Sequence, residues 1–180
     1  EASTVTRIAL VFSAAALLAV SLVAGAGASR TVSHGAGLPV RGVFIPGKSL
    51  GGVSIGMTQT QVRALWGNKF KICAQCTSPT WNYIYAFGEP LGAAVKFDKS
   101  KKVVAVYTLG SPAGWHTAEG LLVGEEVDKV NTLYGKTGWT ACIGYGAMIL
   151  QKGAVNTAIY TTGAVVYGFA MTAGSEPICQ

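Results

Sequence analysis

The apolar residues just after position 60 recur at the spacing of an amphipathic helix. Val62, Leu65 and Trp66 stand at i, i+3 and i+4, which places all three on one helical face. Thr58 and Gln61 precede them in the pattern of a capping box, in which each side chain accepts a hydrogen bond from the other residue's backbone N–H. Because a glycine follows Trp66 directly, where many helices end, the pattern predicts a helix from about Thr58 to Trp66.

The same pattern returns 68 residues later. Residues 52–67 align with residues 120–135 without a gap, and the identical positions include three glycines, a valine and a leucine. In the second copy the predicted helix extends from Glu126 to Tyr134, carries Val130 on its apolar face and again ends before a glycine. The chain is therefore interpreted as a duplicated module.

Runs typical of β-strands follow each predicted helix. After the first helix they cover Trp81 to Phe87, Gly92 to Phe97 and Val103 to Leu109. After the second they cover Ala147 to Gln151, Ala154 to Tyr160 and Ala164 to Met171, and an isolated short strand is predicted at Val43 to Ile45. Short turns join the last two strands of each copy. The pattern thus predicts an α+β fold of two tandem helix-plus-antiparallel-sheet repeats.

The start of the chain differs in composition from the rest. Residues 8–28 are 21 consecutive apolar or small residues, which fits a signal peptide or a membrane-spanning helix, and their Gly/Ala-rich end favours signal peptide cleavage. Either interpretation predicts an N-terminal apolar helix and places the remainder in the cell envelope or outside the cell. The predicted organisation is residues 1–28 as signal peptide or anchor, 29–49 as linker, 50–111 as the first module and 112–180 as the second.

Four cysteines, Cys73, Cys76, Cys142 and Cys179, predict two disulfides in an exported chain. Three connectivities are possible. The duplication favours Cys73 with Cys76 and Cys142 with Cys179, because the 68-residue shift places Cys142 between the positions that match the first two. A redox pair or a zinc site is the weaker interpretation, since the Cys-x-x-Cys follows a helix and the other two cysteines are far apart.

Motifs of the common catalytic and nucleotide-binding sites are absent, and no cofactor or metal is predicted. The two histidines are His34, in the linker, and His116, between the modules. The formal charge of +6 is concentrated in the first half, yet no dense Lys/Arg run carries interleaved aromatic residues. We therefore expect no nucleic-acid partner.

Aromatic residues supply the candidate binding site. Trp81, Tyr83 and Tyr85 alternate along one predicted strand and share one of its faces. The full candidate set is Trp81, Tyr83, Tyr85, Trp115, His116, Trp139 and Tyr145. Tyr and Trp often anchor protein interfaces, but aromatic rings also fill cores, so both a contact surface and packing within the sheet are open.

The repeat resembles a known group of proteins. Ile-Gly-Met-Thr at residues 55–58, then Val62, then Leu-Trp-Gly at residues 65–67 and three antiparallel strands are similar to the repeat of the outer-membrane assembly lipoprotein (SmpA/OmlA) and β-lactamase-inhibitor-protein families. The resemblance covers roughly residues 50–175. The doubled form is similar to the inhibitor proteins, which are secreted and bind targets through a concave sheet surface. The resemblance implies the fold and the style of binding.

These observations predict an exported, non-catalytic binding module whose partner is a protein or another cell-envelope component. One alternative is a structural envelope subunit that touches the membrane through an uncleaved helix at residues 8–28. The other is an enzyme in which His116 and a reduced cysteine would have to converge.

Overall fold

The structure is a computed structural model that describes residues 42–83, 92–110 and 112–180. Within these residues the chain is an α+β protein with two short helices and antiparallel sheets. The predicted apolar helix at residues 8–28 lies outside the described residues, as do His34 and Tyr85.

The two helices are α1 (Gln59–Trp66) and α2 (Val127–Tyr134). The predicted capping box of α1 is confirmed: the Gln61 N–H donates to Thr58 Oγ1 at 3.2 Å, and the Thr58 N–H donates to Gln61 Oε1 at 2.8 Å. The N-cap of α2 is Glu126, which makes no such side-chain bond. Both helices end at a glycine with positive φ, so the predicted ends are confirmed. Within the described residues, neither helix is long and apolar enough to cross a membrane.

The apolar face of α1 is narrower than the sequence pattern predicts. Val62 and Trp66 are fully buried, whereas Leu65 is 43% exposed. An eight-residue helix touches the sheet along one line, and Leu65 lies beside that line, next to Gly52. On α2 the buried residue is Val130, and Tyr134 packs against the core while partly exposed.

Eleven strands are present in the described part of the chain. In chain order they are β1 (Val43–Ile45), β2 (Ser49–Leu50), β3 (Lys71–Ile72), β4 (Thr80–Asn82), β5 (Gly92–Phe97), β6 (Val103–Leu109), β7 (His116–Thr117), β8 (Gly138–Ala141), β9 (Gly146–Gln151), β10 (Val155–Thr162) and β11 (Val165–Ala173). The predicted bounds of β1, β5 and β6 are confirmed, and those of β9, β10 and β11 differ by one or two residues. The short strands β2, β3, β7 and β8 lie in stretches that the sequence pattern assigns to loops.

Eight of these strands form one antiparallel sheet in the order β3-β4-β5-β6-β11-β10-β9-β8. Each half of the chain contributes one helix followed by four strands, and the last strands of the two halves, β6 and β11, pair at the centre. The other three strands form a small sheet in the order β2-β1-β7, in which β1 and β7 are parallel.

The main core lies between the helices and one face of the large sheet. It contains Val62, Trp66 and Val130 from the helices, together with sheet residues such as Val95 and Met171. These side chains share one face because cross-strand neighbours in an antiparallel sheet point to the same side. The opposite face of the sheet carries a second, separate cluster of apolar and tyrosine side chains.

All four cysteines are in disulfides. Cys73 bonds to Cys76 and Cys142 bonds to Cys179, which is the pairing that the duplication favours. The first bridge closes a short loop between β3 and β4, and the second joins the β8–β9 turn to the end of the chain.

Candidate protein-binding face

Three of the predicted contact residues lie in the core, which corrects that part of the predicted binding surface. Trp81 is 3% exposed, Tyr83 is 9% exposed and Trp115 is fully buried. Trp81 on β4 and Tyr83 directly after it do lie on one side of the chain, but this side faces the helices. There the ring of Trp81 stacks on Phe70 with centroids 4.0 Å apart, and the Arg63 guanidinium lies 4.8 Å from its centroid. For these three residues the packing interpretation holds.

The burial of Trp115 has a specific cause in the surrounding glycines. A Cβ on Gly42 would lie 2.6 Å from the indole, and one on Gly51 would lie 2.4 Å from it. The indole therefore fits between two backbones that have no side chain. Trp66, also fully buried, packs against it edge to face with centroids 5.4 Å apart, and Trp66 Nε1–H donates to the Gly51 carbonyl at 2.9 Å.

The remaining candidates are not brought together. His116 is half-buried on β7, and its Nδ1 lies 3.3 Å from the Gly114 carbonyl. Trp139 is 66% exposed on β8, at the end of the large sheet, on the same face as the helices. Tyr145 lies in the β8–β9 turn and contributes to the opposite face. Because every cysteine is in a disulfide, the structure contains no thiol for His116 to activate.

Among the residues that the structure describes, four tyrosines lie on the face opposite the helices, and we name it the tyrosine face. Its tyrosines are Tyr107, Tyr145, Tyr160 and Tyr167. The Tyr145 and Tyr160 rings meet edge to face at 4.8 Å, and Tyr145 and Tyr167 lie 6.4 Å apart. Tyr160 is buried, whereas the other three are half-buried and retain solvent-facing surface.

Strand pairing explains how these rings gather on one face. Tyr107 on β6 is the cross-strand neighbour of Ala94 and Ala170, and Tyr160 on β10 is the neighbour of Ala147. Alanine beside each large ring leaves room for it to lie along the sheet. The two halves of the chain supply different members, since Tyr107 belongs to the first half and the other three to the second. The β6–β11 pair therefore brings the set together.

Burial affects the pKa of three tyrosines on this face, whose hydroxyls stay protonated to higher pH than that of a free tyrosine. Burial raises the pKa of Tyr107 to about 12. Burial also raises the pKa of Tyr145, and it raises that of Tyr160 well above the ordinary value. A protonated phenol can donate one hydrogen bond and accept others, so these groups are suited to peptide carbonyls and amides.

The last six residues of the chain lie across this face, and we name residues 175–180 the C-terminal strap. Tyr160 donates its hydroxyl to the Ile178 carbonyl, and Tyr145 donates its hydroxyl to the Gln180 carbonyl at 2.8 Å. The Gln180 N–H returns a hydrogen bond to the Tyr145 oxygen at 2.9 Å. At the other end of the strap, Lys96 Nζ lies 2.6 Å from Glu176 Oε2.

A cavity of about 240 Å³ lies beside the strap. It is bounded by Lys96 and Tyr107 from the sheet, by residues 76–78 after the first disulfide, and by Pro177 and Gln180 from the strap. Most of these side chains offer hydroxyl, ammonium or amide groups. In the sequence, the only indication of the tyrosine face is that tyrosines and alanines occur along the strands that form it. The same pattern is also expected of strands in a buried core.

No group of three or more His, Cys, Asp or Glu side chains in the described ranges is arranged to hold a metal ion. Comparison of the chain with protein-family models, with curated proteins and with solved structures finds no match in any of the three. The tyrosine face, its strap and the adjoining cavity are therefore interpreted from their own chemistry.

Proposed function

We propose that this chain is an exported, non-catalytic protein-binding module that contacts its partner through the tyrosine face. The observation that carries the proposal is the gathering of four tyrosines on the sheet face opposite both helices. Tyrosine contributes a large apolar ring and a hydrogen-bonding hydroxyl with little loss of side-chain entropy, which is why it is enriched at protein interfaces.

Three features support this face over the other surfaces of the described residues. Tyr107, Tyr145 and Tyr167 are partly exposed and belong to one cluster with Tyr160, in which the Tyr145 ring contacts the rings of Tyr160 and Tyr167, so the four form a pre-organised patch. The strap already makes peptide hydrogen bonds to this patch. Two disulfides flank the face, and such bridges are typical of exported proteins.

The architecture also supports a more detailed proposal about the fold. Each half supplies a helix and four strands, and the halves meet at β6 and β11. We propose that they are tandem repeats of the β-lactamase-inhibitor-protein-like kind. On this proposal the tyrosine face is the concave binding surface, and the aromatic contact residues lie on β6, β10 and β11 and in the β8–β9 turn rather than on β4.

Affinity capture with matched variants tests the proposed face. The bait is the chain with both disulfides formed, beside Tyr167→Ala on the tyrosine face and Trp139→Ala on the helix side of β8. We expect a partner from native envelope or culture-fluid extracts to be retained by the parent protein and by Trp139→Ala. We expect Tyr167→Ala to retain at least tenfold less, as an interface anchor requires.

The same comparison separates the alternatives. A partner lost with Trp139→Ala but retained with Tyr167→Ala would contradict the tyrosine face and move the contact to the β8 edge. Equal retention by all three baits would contradict both surfaces. Circular dichroism and melting temperature must match among the baits, so that loss of retention reports the surface rather than unfolding.

A further inference from the structure

The C-terminal strap shows which chemistry one part of the tyrosine face accepts. Its Glu176 carboxylate pairs with Lys96, and its carbonyls at Ile178 and Gln180 accept hydrogen bonds from two tyrosines. The Ile178 side chain packs against the cluster that holds the tyrosine rings. The contacts therefore recognise a short, bent segment with an acidic residue two positions before an apolar one.

We propose that this part of the face is a binding subsite for a short partner peptide of the same acidic-x-apolar pattern, and that the strap is its built-in occupant. The inference rests on the proposed function, because it names the chemistry of the partner at the same face. While the Cys142–Cys179 disulfide is intact, the strap stays in place and the subsite is closed, so the disulfide-bonded protein offers a partner the rest of the tyrosine face, which includes Tyr167.

Charge supports an acidic ligand segment. Lys96 lies on the strap side of the sheet. It is the cross-strand neighbour of Ala105, and Ala105 is the cross-strand neighbour of Thr172, so the three side chains share one face. The Thr172 hydroxyl donates to the Glu176 carbonyl of the strap, which identifies that face. The Lys96–Glu176 pair is largely shielded, with side-chain exposures of 18% and 23%. A shielded pair discriminates between charges more strongly than a pair in open solvent.

The strap is held by side chains and one disulfide rather than by the sheet ladder. The last strand, β11, ends at Ala173, and the strap follows a turn. Apart from a turn bond in which the Glu176 N–H donates to the Ala173 carbonyl, its hydrogen bonds to the face are with lysine, tyrosine and threonine side chains. Removing the disulfide therefore leaves a short segment that a peptide of the same chemistry can replace.

Peptide binding in trans tests the subsite. The protein is the full chain with Cys142→Ser and Cys179→Ser to free the strap, and with Glu176→Ala and Ile178→Asp to keep it from returning, whether position 96 carries Lys or Glu. The probe is a fluorescent peptide with the sequence of residues 174–180 in which serine replaces the cysteine. Fluorescence anisotropy measures its affinity for this variant and for the disulfide-bonded parent.

We expect the peptide to bind the opened variant and not the parent, whose own strap occupies the subsite. Adding Lys96→Glu to the opened variant should weaken binding about tenfold, as the loss of a charged hydrogen bond requires. A peptide with lysine in place of its glutamate should then recover that affinity. A folded, opened variant that binds both peptides equally, or a parent that binds as tightly as the variant, would overturn the proposal.

Proteolysis supplies a second test in case the opened variant does not fold. In the chain carrying only Cys142→Ser and Cys179→Ser, a proline-specific endopeptidase can cut after Pro177 once the strap leaves the face. Lys96→Glu should increase the cleavage rate, measured by intact mass, about tenfold. Combining Lys96→Glu with Glu176→Lys reverses both charges of the pair and should restore protection from cleavage. Equal cleavage rates in all three would overturn the recognition by charge. Neither test uses the natural partner, so failure here leaves the capture experiment to decide the proposed function separately.

Discussion

Replacing Gly168 with alanine should strongly destabilise the protein, because this glycine lies where the two halves of the sheet meet. Gly168 is in β11, and a Cβ at this position would lie 1.9 Å from the Thr108 carbonyl oxygen of β6. Real Cβ contacts are essentially never shorter than 3.0 Å, so the two strands would have to separate locally by about an ångström. The obstacle is backbone, which cannot rotate away as a side chain would.

The cost follows from that displacement. Overpacking in a well-packed interior costs roughly 1–3 kcal/mol. Next to the glycine, the Phe169 N–H donates a buried hydrogen bond to Thr108 Oγ1 at 3.0 Å, and weakening it adds about 1 kcal/mol. We therefore expect Gly168→Ala to lower the free energy of unfolding by about 3 kcal/mol. For a chain of this size that corresponds to a fall in melting temperature of roughly 6–12 °C.

Thermal and urea unfolding, followed by circular dichroism, measure this difference. The matched control is Gly153→Ala, since nothing lies within 4 Å of a Cβ at that glycine and its φ is not in the left-handed region. The control should be neutral or slightly stabilising, because alanine reduces the entropy of the unfolded chain. A Gly168→Ala protein within about 0.5 kcal/mol of the parent would refute the close approach of β6 and β11 at this point.

Three further changes have predictable effects. Thr58→Ala removes half of the capping box and should lower the free energy of unfolding, measured in urea, by about 1 kcal/mol. Its control is Glu126→Ala, at an N-cap without a side-chain bond, which should change that free energy by less than about half as much. Replacing Cys142 and Cys179 with serine should lower the free energy of unfolding by about 3–4 kcal/mol, because this disulfide closes the longer loop. Replacing Cys73 and Cys76 should lower it by about 2 kcal/mol. Equal losses would contradict an origin in loop-closure entropy. The pKa of Tyr107 is about 12 in the folded protein and about 10 when unfolded, so the unfolded chain loses this proton first and stability should fall between pH 10 and pH 12. Tyr107→Phe should make that fall shallower in urea titrations from pH 9 to pH 12, and an unchanged slope would exclude Tyr107 as its source.

The helices were accessible to sequence reasoning because their signals are local. The capping residues of α1 and the glycines that end both helices act within a few positions of the helix itself. The sequence does not predict the exposure of Leu65. Spacing places Leu65 beside Val62 and Trp66, but the width of the buried stripe depends on how a short helix meets the sheet.

The sequence does not determine whether the aromatic side of a strand faces the core or the solvent. Alternation correctly places Trp81 and Tyr83 on one side, but a period of two residues does not say which side faces the helices. That choice depends on partners distant in sequence, such as Phe70 against Trp81 and Trp66 against Tyr83. Edge strands such as β8 were missed because a strand of four residues has too few positions to establish a period.

The proposed binding face could not be predicted from the sequence because it exists only after the halves have joined. Tyr107 comes from the first half and Tyr160 from the second, and the pairing of β6 with β11 places them on one surface. The strap depends on the same junction, since Lys96 and Glu176 are 80 residues apart in the chain and 2.6 Å apart in space. A change that loosens this junction should therefore weaken the tyrosine face and the strap together. A change such as Thr58→Ala, confined to α1, should lower stability while leaving both intact in the molecules that remain folded.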